Sequence, residues 1–226
     1  MTISTALLSD RPSLGEEVHG ILLARLMSQE IPAGERLAID VLARDLGVSQ
    51  TPVRAALIRL EAEGLVVRRH NVGFSAAPMP SADRLRQFYE FRLLLEPEAT
   101  AMATVAMSAA ETDALREAIN EMTAALRDAD PSAMSGRFGL ADLRFHDRIA
   151  TGSGNALIVE ALGRLRQPMQ MFRLRFTADL REQALREHEL IFERIAARDA
   201  DGAAAAMRDH LTQSRSRFEP FYQALT

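Results

Sequence analysis

The chain has 226 residues, enough for one large domain or two of ordinary size. With 47% apolar residues, 26% charged residues and no cysteine, it can build a packed core but no disulfide, and any metal site must use nitrogen and oxygen ligands. The formal net charge of −4 argues against a uniformly basic nucleic-acid binder, yet Gln50 to Ser75 carries Arg54, Arg59, Arg68 and Arg69 against only Glu61 and Glu63, so a basic face on an acidic protein stays open.

Aromatics are scarce at 5% and Trp is absent, which favours packed helices over sheet. Residues 1–15 lack the basic and apolar regions of a signal peptide, and no run approaches the ~18 apolar residues of a membrane span. The expectation is a cytoplasmic protein with no membrane contact.

In chain order, residues 1–13 read as a polar arm. Val18, Ile21, Leu22 and Leu26 then share one face of a helix over 14–29, which Ile31-Pro32-Ala33-Gly34 ends. A short helix from Asp40 to Leu46 is closed by Gly47. Ser49 caps a second helix, with Pro52 in its first turn, that runs to Glu63 and stops at Gly64. Leu65 to Arg69 reads as a strand, 70–73 as a turn, and Phe74 to Ala77 as a returning strand. Pro78 and Pro80 mark a linker. Helices follow at about 81–107, 110–128, 132–151, 155–177, 179–199 and 201–221, with Pro97 and Pro168 expected to kink or divide two of them. The domains expected are 1–77 and 78–226.

Residues 38–63 have the pattern of a DNA-reading helix pair. Leu42, Ala43 and Leu46 face inward on the first helix, as do Val53, Leu57 and Leu60 on the second. The opposite face presents Ser49, Gln50, Thr51, Arg54 and Arg59. A helix presented this way fits the major groove with its N-terminal residues at the base edges, and its free amides attract phosphate. Arg68, Arg69 and His70 sit where a wing would reach flanking phosphates. An ordinary surface helix pair with a hairpin satisfies the same spacing.

Residues 34–69, GERLAIDVLARDLGVSQTPVRAALIRLEAEGLVVRR, closely resemble the winged helix-turn-helix of the GntR family of bacterial regulators. The resemblance implies that Ser49, Thr51 and Arg54 lie at the DNA. Two departures are Gln50, where the family usually has Arg, and Ala55, where it usually has Glu. Gln50 implies a different operator preference.

In the second half, Asp142 and His146 stand one helical turn apart on one face. His188 and His210 lie on consecutive helices at nearly equal distances from the turn at Asp199–Gly202, which puts them level. One carboxylate and three imidazoles from three helices suit a divalent ion: zinc first, with nickel, manganese or iron as alternatives. Satisfied core histidines are the plainer reading of the same residues.

Residues 81–218 resemble the FadR-type C-terminal domain, the FCD, of GntR regulators. The matching strings are Tyr89-Glu90-Phe91-Arg92 with Leu95-Glu96-Pro97, Asp142-Leu143-Arg144-Phe145-His146, Gly154-Asn155, Glu187-His188, and Met207-Arg208-Asp209-His210-Leu211. The resemblance implies a mainly α protein, a winged helix-turn-helix followed by an all-helical antiparallel bundle, with Asp142, His146, His188 and His210 holding the metal. It also implies a homodimer on double-stranded DNA with two half-sites, and repression relieved by an effector; positions left open on the metal by four protein ligands would suit a small carboxylate or hydroxy acid. Arg92 is the candidate clamp for that effector, with Arg173 and Arg175 as weaker ones, although a salt bridge from Arg92 to Glu96 at i+4 competes. No enzyme is expected: there is no HExxH pattern and no Ser/His/Asp set. A metal that only staples the bundle, or less readily a metal-dependent hydrolase, is the alternative.

Overall fold

A computed structural model describes residues 13–28, 30–69, 73–78, 81–129, 131–173 and 178–223, with the backbone alone at 27, 131–133, 135, 165–173, 178–179 and 220–223. The described chain runs α1 (Leu14–Met27), β1 (Arg36–Leu37), α2 (Ile39–Asp45), α3 (Gln50–Ala62), β2 (Val66–Arg69) and β3 (Gly73–Ala76). It continues α4 (Ala82–Ala106), α5 (Ala109–Ala125), α6 (Pro131–Gly152), α7 (Ala156–Arg173), α8 (Ala178–Ala196) and α9 (Ala200–Gln223).

The first unit is a helix-turn-helix with a small sheet. Ser13 opens α1 through a capping box with Glu16. Val18, Leu22 and Leu26 bury one face of α1 against Val53, Ala56, Leu57 and Leu60 of α3, and Leu42 and Ala43 of α2 complete the cluster. Ile21, expected on that inner face, is exposed. The α2–α3 turn needs Gly47, whose φ of 65° lies where a Cβ is penalised. β2 and β3 form an antiparallel hairpin with Arg69 opposite Gly73, and its tip at 70–72 lies outside the described residues. The sheet has a third strand that the sequence pattern missed: β1 pairs with β3, giving the order β1-β3-β2. Two residues are too few to show strand alternation, and only the register with β3 defines them.

The second unit is helical throughout its described residues. α4 packs along α9 and α6, α5 lies on α6 and α8, and α8 lies on α9. The core joins Leu115, Met122, Phe138, Phe145, Ile149, Ile191, Ile195, Met207 and Leu211, and a smaller cluster holds Leu85, Phe88, Tyr89 and Phe218. Neither internal proline divides its helix: α4 continues through Pro97 and α7 through Pro168. Each such ring removes one amide from the ladder, and in α4 the hydroxyls of Thr100 and Thr104 donate to the carbonyls of Glu96 and Thr100 just beyond it. No described helix is long and apolar enough to cross a membrane.

Candidate nucleic-acid interface and metal centre

α3 is amphipathic: Val53, Leu57 and Leu60 are buried, so Gln50, Thr51, Arg54 and Arg59 are left facing outward. Ser49 is the N-cap residue and is exposed; its side chain makes no capping hydrogen bond to the first amides of α3. Arg59 donates to Glu63 one turn on, at 3.2 Å. Glu63 also meets His19 of α1 at 2.8 Å, which fixes the far end of α3 against α1. On the hairpin, Arg68 and Arg69 are exposed, and the Arg68 guanidinium lies 5.6 Å from the centre of the Phe74 ring. His70 lies outside the described residues. Arg54, Arg59, Arg68 and Arg69 are thus all exposed, with Glu61 and Glu63 half-buried at the end of α3.

In the helical unit, the turn between α8 and α9 brings two histidines level. Asp199 stands eleven residues from each of His188 and His210. Its Oδ1 accepts from the Gly202 amide at 2.9 Å, and a Cβ at Gly202 would collide with that same carboxylate. The rings of His188 and His210 lie 4.4 Å apart between centres, and that of His146 lies 5.3 Å from each. Ligand atoms of the three all fall within 4.8 Å of one another. Asp142, the fourth residue expected here, is also buried and places Oδ1 3.2 Å from His188 Nε2.

The partners of the three Nδ1 atoms decide what this cluster can do. His188 Nδ1 donates to the Ala184 carbonyl at 2.6 Å, His210 Nδ1 to Glu187 Oε2 at 2.8 Å, and His146 Nδ1 to Glu96 Oε2 at 2.8 Å. For His146 the short carboxylate contact fixes the tautomer over the longer 3.4 Å approach of Arg92 Nη2. With Nδ1 protonated on each ring, each Nε2 offers a lone pair. His146 Nε2 and His188 Nε2 are 3.3 Å apart, and two lone pairs facing one another are satisfied by a metal ion or by a proton shared between them. Metal–ligand bonds of about 2.0–2.2 Å put neighbouring donor atoms about 3.0–3.5 Å apart, the range in which His188 Nε2 meets His146 Nε2 and Asp142 Oδ1. The residues therefore fit a divalent ion with nitrogen and oxygen ligands.

Arg92 of α4 is buried and bound to Glu96 through Nε and, at 3.1 Å, through Nη2. This is the competing salt bridge. Burial alone would raise Glu96, but Arg92 and His146 outweigh it and hold the carboxyl well below the usual carboxylate range. Arg92 Nη1 is buried with no hydrogen-bond partner among the described residues. The side chain of Arg173, and Arg175 altogether, lie outside the described residues. Sequence reasoning missed Arg217, which grips Glu187. Its position two turns beyond His210 on α9 is the signal that could have found it.

Residues 14–75 match the family "Bacterial regulatory proteins, gntR family", and residues 87–213 match "FCD domain". The Nta operon transcriptional regulator of Aminobacter aminovorans is 30% identical over 189 residues, covering 82% of this chain and 85% of that protein. The Uxu operon transcriptional regulator of Escherichia coli (strain K12) is 30% identical over 225 residues, covering 91% and 87%. The solved structure of E. coli McbR/YncC shares the fold, with a TM-score of 0.74 at 21% identity over 94% of this chain and all of that one. The two family matches and relatives matched nearly end to end make this chain a member of the GntR family, a DNA-binding transcriptional regulator and not an enzyme.

Proposed function

We propose that this regulator is a metal-dependent repressor of the FadR type. Asp142, His146, His188 and His210 hold a divalent ion, zinc in the first place. A small carboxylate or hydroxy acid completes its coordination and lowers operator affinity. The observation that carries the reading is the grouping of ligand atoms of His146, His188 and His210 within 4.8 Å of one another, with every Nδ1 committed to an acceptor. Four protein ligands leave a five- or six-coordinate ion with open positions. The partnerless Nη1 of Arg92 is available to an anionic group beside the ion.

We divide the chain into a reading head over 1–77 and a sensing domain over 78–226. The head uses Ser49, Gln50, Thr51, Arg54, Arg59, Arg68, Arg69 and His70, and a homodimer spans two half-sites about 34–36 Å apart or a multiple of that. A stapling metal is the second reading, favoured by the hold that Glu96 already has on Arg92.

The test uses purified full-length protein and a duplex selected from random DNA. Elemental analysis measures the metal. Fluorescence anisotropy then follows duplex binding with small hydroxy acids and dicarboxylates, before and after chelation. Salt-sensitive binding that these acids weaken only in the metal-loaded protein is expected. A His188→Ala/His210→Ala double variant that still responds to acid like the wild type would sink the sensor reading. Loss of the fold on chelation, with no acid response, would favour the staple.

A further inference from the structure

Two of the three imidazoles end a chain of charged side chains with the same order and the same terminal atom. Arg92 grips Glu96, and Glu96 accepts from His146 Nδ1 at 2.8 Å. Arg217 grips Glu187 through Nη1 at 2.5 Å and Nη2 at 2.7 Å, and Glu187 accepts from His210 Nδ1 at 2.8 Å. The chains come from different helices, α4 to α6 in one case and α9 to α8 and back to α9 in the other. The third imidazole, His188, donates instead to the neutral Ala184 carbonyl of its own helix.

These are not surface ion pairs. The Arg92 and Glu96 side chains are 6% and 7% exposed, Arg217 is 9% exposed and Glu187 is half-buried at 22%. Holding charge away from water is costly, so a pair of this kind is weak evidence for stability alone. A neutral imidazole can present either nitrogen, and a carboxylate on Nδ1 both selects Nε2 and enriches it in electron density. The arginine fixes the angle of that carboxylate.

We propose that Glu96 and Glu187, each locked by its own arginine, are positioning residues that aim His146 and His210 and set the affinity of the centre for its divalent ion. The proposal rests on the metal reading above, and it assigns these four residues a task distinct from ligation. Glu96 is also the nearer of two α4 side chains that reach the histidine cluster, the other being Arg92.

The experiment titrates zinc into metal-free full-length protein against a chromophoric chelator. Wild type is compared with Glu96→Gln and Glu187→Gln, and the metal-free melt of each is followed by circular dichroism. Glutamine keeps a carbonyl acceptor but removes the charge, so each variant should bind zinc about 10–100-fold more weakly. In zinc-loaded protein labelled at histidine nitrogen, long-range correlation spectra should show all three wild-type rings with protonated Nδ1 and metal-bound Nε2. Only the His210 pattern should move in Glu187→Gln.

Pairs that merely tie helices together would lower the melt and leave zinc affinity and ring signals where they were. Wild-type zinc binding with both variants within about twofold of it would therefore overturn this proposal while the metal reading stands. A wild type that binds no zinc would overturn both. Should Glu96→Gln fail to fold, Glu187→Gln and Arg217→Gln carry the same test at the more exposed chain.

Discussion

Replacing Phe145 by alanine should weaken the fold and the metal centre together. The ring is fully buried in the main core of the helical unit. It stands edge-on to His188 at 4.8 Å and 87°, and edge-on to His146 at 5.8 Å and 85°. Removing a buried phenylalanine costs about 3–5 kcal/mol through lost burial and the cavity left behind. For a unit of this size each kcal/mol moves the midpoint by about 2–4 °C, so the metal-free melt should fall by about 6–20 °C. The cavity opens behind two of the three imidazoles, so zinc affinity should fall in the same variant. Phe145→Leu, which keeps much of the apolar volume, should lie between. Calorimetry of the metal-free protein and zinc competition against a chelator read the two effects. A melt within about 2 °C of wild type, less than 1 kcal/mol, would refute the claim that this ring is both core and backing for the ligands.

Two further pairs of substitutions check the reading head and the bundle. Arg54→Ala should weaken binding to a duplex and flatten the log–log salt dependence by about one, as loss of one phosphate contact does. Arg59→Ala should do less, because Arg59 is already held by Glu63 at 3.2 Å, and a larger effect at Arg59 would reverse the assignment. A Cβ at Gly47 meets nothing within 4 Å, so Gly47→Ala carries only the backbone penalty of its φ of 65°, about 1–2 kcal/mol by urea unfolding. A Cβ at Gly152 would lie 2.7 Å from Met107 Cγ, so Gly152→Ala should cost about 1–3 kcal/mol by overpacking. Adding Met107→Ala should recover part of the loss at Gly152 and none at Gly47, and equal behaviour at both sites would refute the distinction.

Much of this was legible from local pattern. The inner faces of α2 and α3 follow from Leu42, Val53, Leu57 and Leu60, and the bounds of α3 from Ser49 and Gly64, because caps and periodicity act within a few residues. The meeting of His188 with His210 was legible because a tight turn fixes the register of the two helices it joins. What escaped depends on contacts distant in sequence. β1 exists only through its pairing with β3. The helix expected over 81–107 stands as α4 through Pro97, and only the division allowed for at that ring is absent. The hold of Arg217 on Glu187 joins residues thirty apart on neighbouring helices, and no window of sequence contains both. Ile21 went astray for the opposite reason, since the apolar stripe of α1 was drawn one residue too wide.

The core also bears on whether a metal is needed to hold this bundle. Structural ions are typical of domains too small to bury enough apolar surface, which without the ion do not fold. Here α4 to α9 carry their own core. Leu115, Met122, Phe145, Ile191, Ile195, Met207 and Leu211 are all buried, and the histidines sit beside it rather than replacing it. The small cluster of Tyr89 and Phe218 adds a second tie between α4 and α9, reinforced by the buried contact of Tyr89 Oη with Ser214 Oγ at 2.7 Å. A bundle packed in this way has little use for a staple. Three imidazoles gathered beside a core that is already packed weigh toward the sensor proposed above rather than a staple, and a metal-free protein that keeps its fold is the result expected of it.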